Sequence, residues 1–203
     1  DTTGFFNQPG AKEALRTAAD FYEDLIVDQL GAIDRTQYGN GTWTPTYSHP
    51  VTGAQTAVPG HANMLVPANT LIIFAGAAAL PAGRAANAGP GGVSGLSPEA
   101  SGSGFPWANR VYNRGEPGAI KLVQSGASLT FTSNPVDFAP WGGAMFFNSS
   151  MANWNFSTAS ATGTSGPDAL SVALHEIAHI LGVGIWLPQC SWKTLTPPGP
   201  FLG

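Results

Sequence analysis

The stretch Ala169–Trp186, ALSVALHEIAHILGVGIW, limits this chain more than any other. Leu170, Val172, Ala173, Leu174, Ile177, Ala178, Ile180 and Leu181 supply an apolar helical pattern around His175-Glu176-Ile177-Ala178-His179. The spacing predicts a helix over 168–181. Ser165-Gly166-Pro167-Asp168 carries the start signal, with proline near the first turn and an acid at the positive end of the dipole. Gly182 is the stop signal, suited to a left-handed C-cap. On such a helix, residues four apart share a face, so His175 and His179 can aim two imidazole nitrogens at one metal ion. Glu176 lies one position round and can reach a water on that ion.

The chemistry matches the residue types. Zinc accepts neutral imidazoles, and a catalytic site keeps three protein ligands and one open position. A water on zinc has its pKa lowered to about 7, and a carboxylate can take its proton during attack on a carbonyl. An HExxH pattern also arises by chance on purely structural helices. Against chance stand the helical flanks, the start and stop signals, and the fact that two of only 4 histidines fall at this spacing.

HEIAHILG resembles the HExxHxxG core of the metzincin zinc peptidases. Upstream, Trp141-Gly142-Gly143-Ala144-Met145-Phe146-Phe147-Asn148, then Trp154 and Leu170–Leu174, is similar to the matrixin run of edge strand, loop and active-site helix. The longer HEIAHILGVG followed by Trp186 resembles exported bacterial peptidases with matrixin-like and leishmanolysin-like features. The resemblance is specific over about 140–186 and looser elsewhere. It implies an α+β, metzincin-like N-terminal subdomain: a twisted mixed β-sheet, a backing helix and the active-site helix. It further implies a zinc endopeptidase with Zn2+ on His175 and His179 and Glu176 as general base. Gly143, Ala144, Met145 and Phe146 would then form an unpaired edge strand that binds an extended protein or peptide substrate by strand addition. A rival of another class is an inactive relative serving as an exported binding or surface module.

The departure from the family concerns the third ligand. A matrixin-like ligand would stand at Ile185, which cannot bind metal, and no His, Asp or Glu follows Gly182. Cys190 and the terminal carboxylate remain as ligands from the tail, and His49 or His61 as ligands from afar. Met64, Met145 and Met151 all precede the motif, so the methionine turn of the family has no counterpart. The expectation is one catalytic domain over 1–203 that lacks its C-terminal subdomain, with apolar surface left around Ile185, Trp186, Leu187 and Trp192.

Composition enters as a boundary. The 203 residues suffice for one domain with a core. Charged residues are 10%, far below the usual quarter, and the net charge is −4. These values argue against nucleic acid as a partner, and the many uncharged polar residues suit a secreted or cell-surface protein. The longest apolar run, Leu71–Leu80, is too short to span a bilayer.

The remaining elements are less specific. Apolar positions Leu15, Ala18, Tyr22, Leu25, Ile26 and Leu30 predict an amphipathic helix over 11–30. Thr42–Tyr47 alternates as a strand, which Pro45 should keep at an edge. Leu71–Phe74 predicts a central strand buried on both faces and lying between the two helices. Residues 77–106, rich in Gly, Ala, Pro and Ser, read as a surface insertion. Asn40, Asn148 and Asn155 each begin an Asn-x-Ser/Thr triplet.

Overall fold

The computed structural model describes residues 3–38, 41–97, 107, 110–111, 114, 122–125, 128–131, 139–159 and 165–184. The chain is α+β. Helix α1 spans Ala11–Leu25 and helix α2 spans Ala169–Ile180. The strands are β1 (Thr44–Ser48), β2 (Gln55–Ala57), β3 (Ile72–Ala78), β4 (Ala86–Pro90), β5 (Gly92–Ser94), β6 (Leu122–Ser125), β7 (Ser128–Phe131) and β8 (Gly142–Asn148). They form two mixed or antiparallel sheets of order β3-β8-β4 and β2-β1-β5, and a β6-β7 hairpin.

The sheet that carries the helices is mixed. β8 runs parallel to β3, with Ile72 opposite Gly142, and antiparallel to β4, with Ala88 opposite Met145. α1 and α2 lie on the same face of this sheet and touch each other; the Tyr22 hydroxyl donates to the Leu174 carbonyl at 2.8 Å. Between helices and sheet sits a core of Phe5, Ala18, Met145, Phe147, Ala173, Ile177 and Ile180. Each large apolar side chain buried there contributes about 1.5–3 kcal/mol. The opposite face packs on a second core around Ile33, Trp43, Val66, Trp107 and Trp141. Because side chains alternate along a strand, β3 serves both: Ile73 and Ala75 face the helices, Ile72 and Phe74 the tryptophans.

Several expectations are corrected. β8 is the middle strand, so Gly143–Phe146 is not an unpaired edge, while β3 is at an edge among the described residues. The reason is steric. A Cβ on Gly142 would lie 1.9 Å from the Ile72 carbonyl oxygen, and one on Gly143 would lie 2.3 Å from that of Gly89. The glycine pair lets two backbones close on one strand. The two helices touch each other over one face of the sheet, so β3 does not lie between them, and all of its residues are half-buried.

The supposed insertion contains β4 and β5, which are separated only by Gly91. Small residues carry these strands because α2 and Trp141 crowd them; a Cβ on Gly91 would fall 2.0 Å from the Trp141 ring. β1 is the centre of its sheet, not an edge. Pro45 is tolerated because it lies just past the end of β2, where its carbonyl accepts from Val58 N at 2.9 Å and no donor is required. α1 stops at Leu25: Ile26 is already extended, and Leu30 instead donates its N–H to Asn69 Oδ1 at 2.8 Å. Val27 is therefore 92% exposed although the helical pattern ran through it.

Two of the three glycosylation triplets are structural. Asn148 is buried and its Nδ2 donates to the Arg84 carbonyl at 2.7 Å. Asn155 is buried and its Nδ2 donates to Asp168 Oδ2 at 2.9 Å. Asn40 lies outside the described residues. Among the described residues no helix is long and apolar enough to cross a membrane.

Candidate metal centre

α2 is built to be held firmly at both ends. At its start, Asp168 is the N-cap, and its Oδ1 accepts from Ser171 N at 2.7 Å. Its other carboxylate oxygen is taken by Asn155, whose backbone also bridges Pro167 and Ala169. At its end, Gly182 has φ 94 and donates to the His179 carbonyl at 3.0 Å, while Val183 N donates to the Ala178 carbonyl at 2.9 Å. These two bonds make a Schellman motif, with glycine in the left-handed position.

Between these anchors, the i,i+4 spacing puts His175 and His179 on one face. Their rings are edge to face with centroids 4.5 Å apart, and their Nε2 atoms are 3.0 Å apart. His175 is exposed and His179 half-buried, so the pair opens to solvent. A tetrahedral ion about 2.05 Å from each nitrogen needs the two about 3.3 Å apart, a few tenths of an ångström from the observed separation. His179 Nδ1 lies 2.8 Å from the Val183 carbonyl oxygen. A carbonyl can only accept, so Nδ1 carries the proton and Nε2 keeps its lone pair for a ligand.

Glu176 points inward from the same turn and is 6% exposed. Its carboxylate accepts a hydrogen bond from the backbone N–H of Ala88 in β4. Its Oε2 is buried and has no hydrogen-bond partner among the described residues. Burial raises its pKa, against the opposing pull of His179, His175 and the Ala88 bond. A buried carboxylate with one orphaned oxygen beside two converging imidazole nitrogens fits a site that takes a cation and a water.

The strand at this site is β4. Asn148 N donates to the Ala85 carbonyl and Gly91 N to that of Gly142. The odd-numbered residues of β4 therefore turn their polar backbone groups towards β8, and Ala86, Ala88 and Pro90 turn theirs to the outer edge. That edge is unpaired among the described residues. Gly143, Ala144, Met145 and Phe146 lie on the middle strand, where both ladders are occupied, and cannot take an added strand. Ala88 and Val183 are the contacts that sequence reasoning missed. The Gly182-Val183-Gly184 triplet was the available signal for one; nothing in Ala-Asn-Ala-Gly-Pro marked the other.

The proposed distant ligands do not join the pair. His49 Nδ1 accepts from Val51 N and Thr52 N at 3.3 Å in the β1–β2 loop. His61 Nδ1 is 2.7 Å from the Pro59 carbonyl, and its ring lies against Phe74. Among the described residues no group of three His, Cys, Asp or Glu forms. Ile185, Cys190 and the terminal carboxylate lie outside the described residues, as do Trp186, Leu187 and Trp192. No protein-family model, curated protein or solved structure matches the chain.

Proposed function

We propose that the chain is a zinc-dependent endopeptidase of metzincin type acting on protein or peptide substrates outside the cytosol. The observation that carries this reading is the convergence of the His175 and His179 Nε2 atoms at 3.0 Å beside the buried Oε2 of Glu176, which has no partner among the described residues. His175 and His179 would hold the ion. When bound, zinc makes a water acidic and polarises a substrate carbonyl. Glu176 does the proton work. One carboxylate oxygen is fixed by the Ala88 N–H, which leaves Oε2 to accept a proton from the attacking water and return it to the leaving amine. Burial brings its pKa up towards the range where both transfers proceed. The outer edge of β4 offers the Ala86 N–H and the Ala86 and Ala88 carbonyls to a substrate in extended conformation. The low charge and polar, uncharged composition support export.

A second reading, an inactive relative that binds rather than cleaves, is favoured by one observation: only two ligands come together among the described residues, where catalytic zinc takes three. The deciding experiment is to purify the full chain, measure bound zinc, and assay casein cleavage with and without a chelator. Chelator-sensitive cleavage that Glu176→Ala abolishes, with zinc retained, is the expected result. Zinc without cleavage in the wild type supports the binding module, and absence of zinc sinks both readings.

A further inference from the structure

We propose that Arg110, with the buried Arg114 beside it, anchors a site for a small oxyanion, a phosphate or a carboxylate, next to the tryptophan-rich core. The site is separate from the histidine pair: Tyr38, which touches Arg110, packs on the core around Trp43, Trp107 and Trp141.

The starting point is an imbalance of charge. Arg114 is fully buried. Its Nε donates to the Gly31 carbonyl at 2.7 Å, and its Nη1 and Nη2 donate to the carbonyls of Thr70 and Pro67. These acceptors are dipoles, not charges. Burial, and then the charge of Arg110, lowers the Arg114 pKa to about 10, so it remains a cation at neutral pH. Arg110, four residues earlier, is half-buried and adds a second positive charge. Its partners are neutral as well. Nε donates to the Tyr38 hydroxyl and Nη1 to the Arg114 carbonyl, each at 3.4 Å, longer than ordinary bonds of this kind. Among the described residues no carboxylate bonds to either guanidinium. Buried charges in proteins are ordinarily paired with an opposite charge. Two neighbouring cations, one of them sealed from water, call for an anion.

The fold also holds Arg110 ready for one. A Cβ on Gly31 would lie 1.7 Å from Arg110 Nη1 and 2.3 Å from its Cζ, so the guanidinium rests against a bare Cα. Gly31 is itself fixed: its N–H donates to the Arg114 carbonyl at 2.8 Å, and its carbonyl accepts from Arg114 Nε. A guanidinium has five N–H donors. Arg110 uses one on Nε and one on Nη1 among the described residues. The other three, two on Nη2 and one on Nη1, suffice for the two-bond fork that arginine offers to a carboxylate or a phosphate. Because the head group is seated before the ligand arrives, little side-chain freedom is lost on binding.

The test is calorimetric titration of the full chain at about pH 7 with sodium phosphate and, separately, sodium acetate, the ionic strength held constant with chloride. Wild type should bind at least one of the two saturably, one ion per chain, and the tighter of them tells phosphate from carboxylate as the ligand. Arg110→Gln should weaken binding about 10–100-fold, as expected for lost hydrogen bonds to a charged group. Gly31→Ala, which pushes the guanidinium off its seat, should weaken it too. Arg16→Gln, at an exposed position of α1, should leave it unchanged. Absence of saturable binding in wild type overturns the proposal. So does undiminished binding in folded Arg110→Gln or Gly31→Ala, or an equal loss in Arg16→Gln. Binding that appears only in Glu116→Gln or Asp137→Asn overturns it as well, because the chain would then supply its own counter-ion.

Discussion

Glu176→Gln should make the metal-free protein more stable while removing its proton acceptor. The wild-type carboxylate is 6% exposed, has one oxygen on the Ala88 N–H and leaves Oε2 without a partner. Leaving a buried acceptor unsatisfied costs about 1–3 kcal/mol, more when it is charged. Glutamine has the same shape, can keep the Ala88 bond and buries no charge, so a net gain of about 1–2 kcal/mol is expected. For a domain of this size that is roughly 2–8 °C in Tm.

The gain should depend on pH with a definite sign. Burial raises the folded-state pKa above the ordinary 4.5. The wild-type carboxyl is therefore protonated in both states at the acid end and carries no ionisation penalty there. As pH rises through the folded value the penalty is incurred. The wild-type and glutamine proteins should match near pH 4 and diverge towards pH 8. The assay is urea unfolding of both proteins at a series of pH values, with a chelator present throughout. Equal midpoints at about pH 8, with unchanged m, would refute the argument and mean that Oε2 is partnered or hydrated.

Two further substitutions probe how the helix and sheet present the site. Asp168→Ala removes the N-cap bond to Ser171 and the bond that Asp168 Oδ2 accepts from Asn155 Nδ2; a loss of about 2 kcal/mol in urea unfolding is expected, above the ~1 kcal/mol of a cap alone. Gly142→Ala would force a Cβ to 1.9 Å from the Ile72 carbonyl at φ 146; it should cost about 3 kcal/mol or more and be read as a drop in soluble yield and Tm.

The helix that carries the histidines was legible almost to the residue, because apolar period, start and stop signals all agree over Ala169–Ile180. α1 was legible in its body but not at its end. The apolar residues Ile26 and Leu30 continue the period, yet the backbone is drawn away by Asn69, by Arg114 through Gly31 N, and by the Ile33–Val66 bridge. These partners are remote in sequence and leave no local mark. The order of strands was misread for a related reason. An apolar run such as Leu71–Phe74 reports burial of side chains, whereas centrality is decided by what the backbone edges meet. The Gly142-Gly143 pair held that information and an apolar count overlooks it. β4 was invisible because its alanines are small where α2 comes close, so it has neither the bulk nor the β-branching by which strands are recognised.

β4 and β5 are one run of chain passing from the helix-bearing sheet into the other, with Gly91 at the corner. Gly91 N is tied to the Gly142 carbonyl, and the Trp141 indole donates to Gly92 O at 2.9 Å. Ala88, which steadies Glu176, is three residues from that corner. This side of the histidine pair consequently has no hinge of its own: moving it means shearing both sheets over a buried tryptophan. Under the proposed function, widening to admit a bulky polypeptide would come from the opposite side, and β4 would act as a fixed ruler against which an incoming chain is measured.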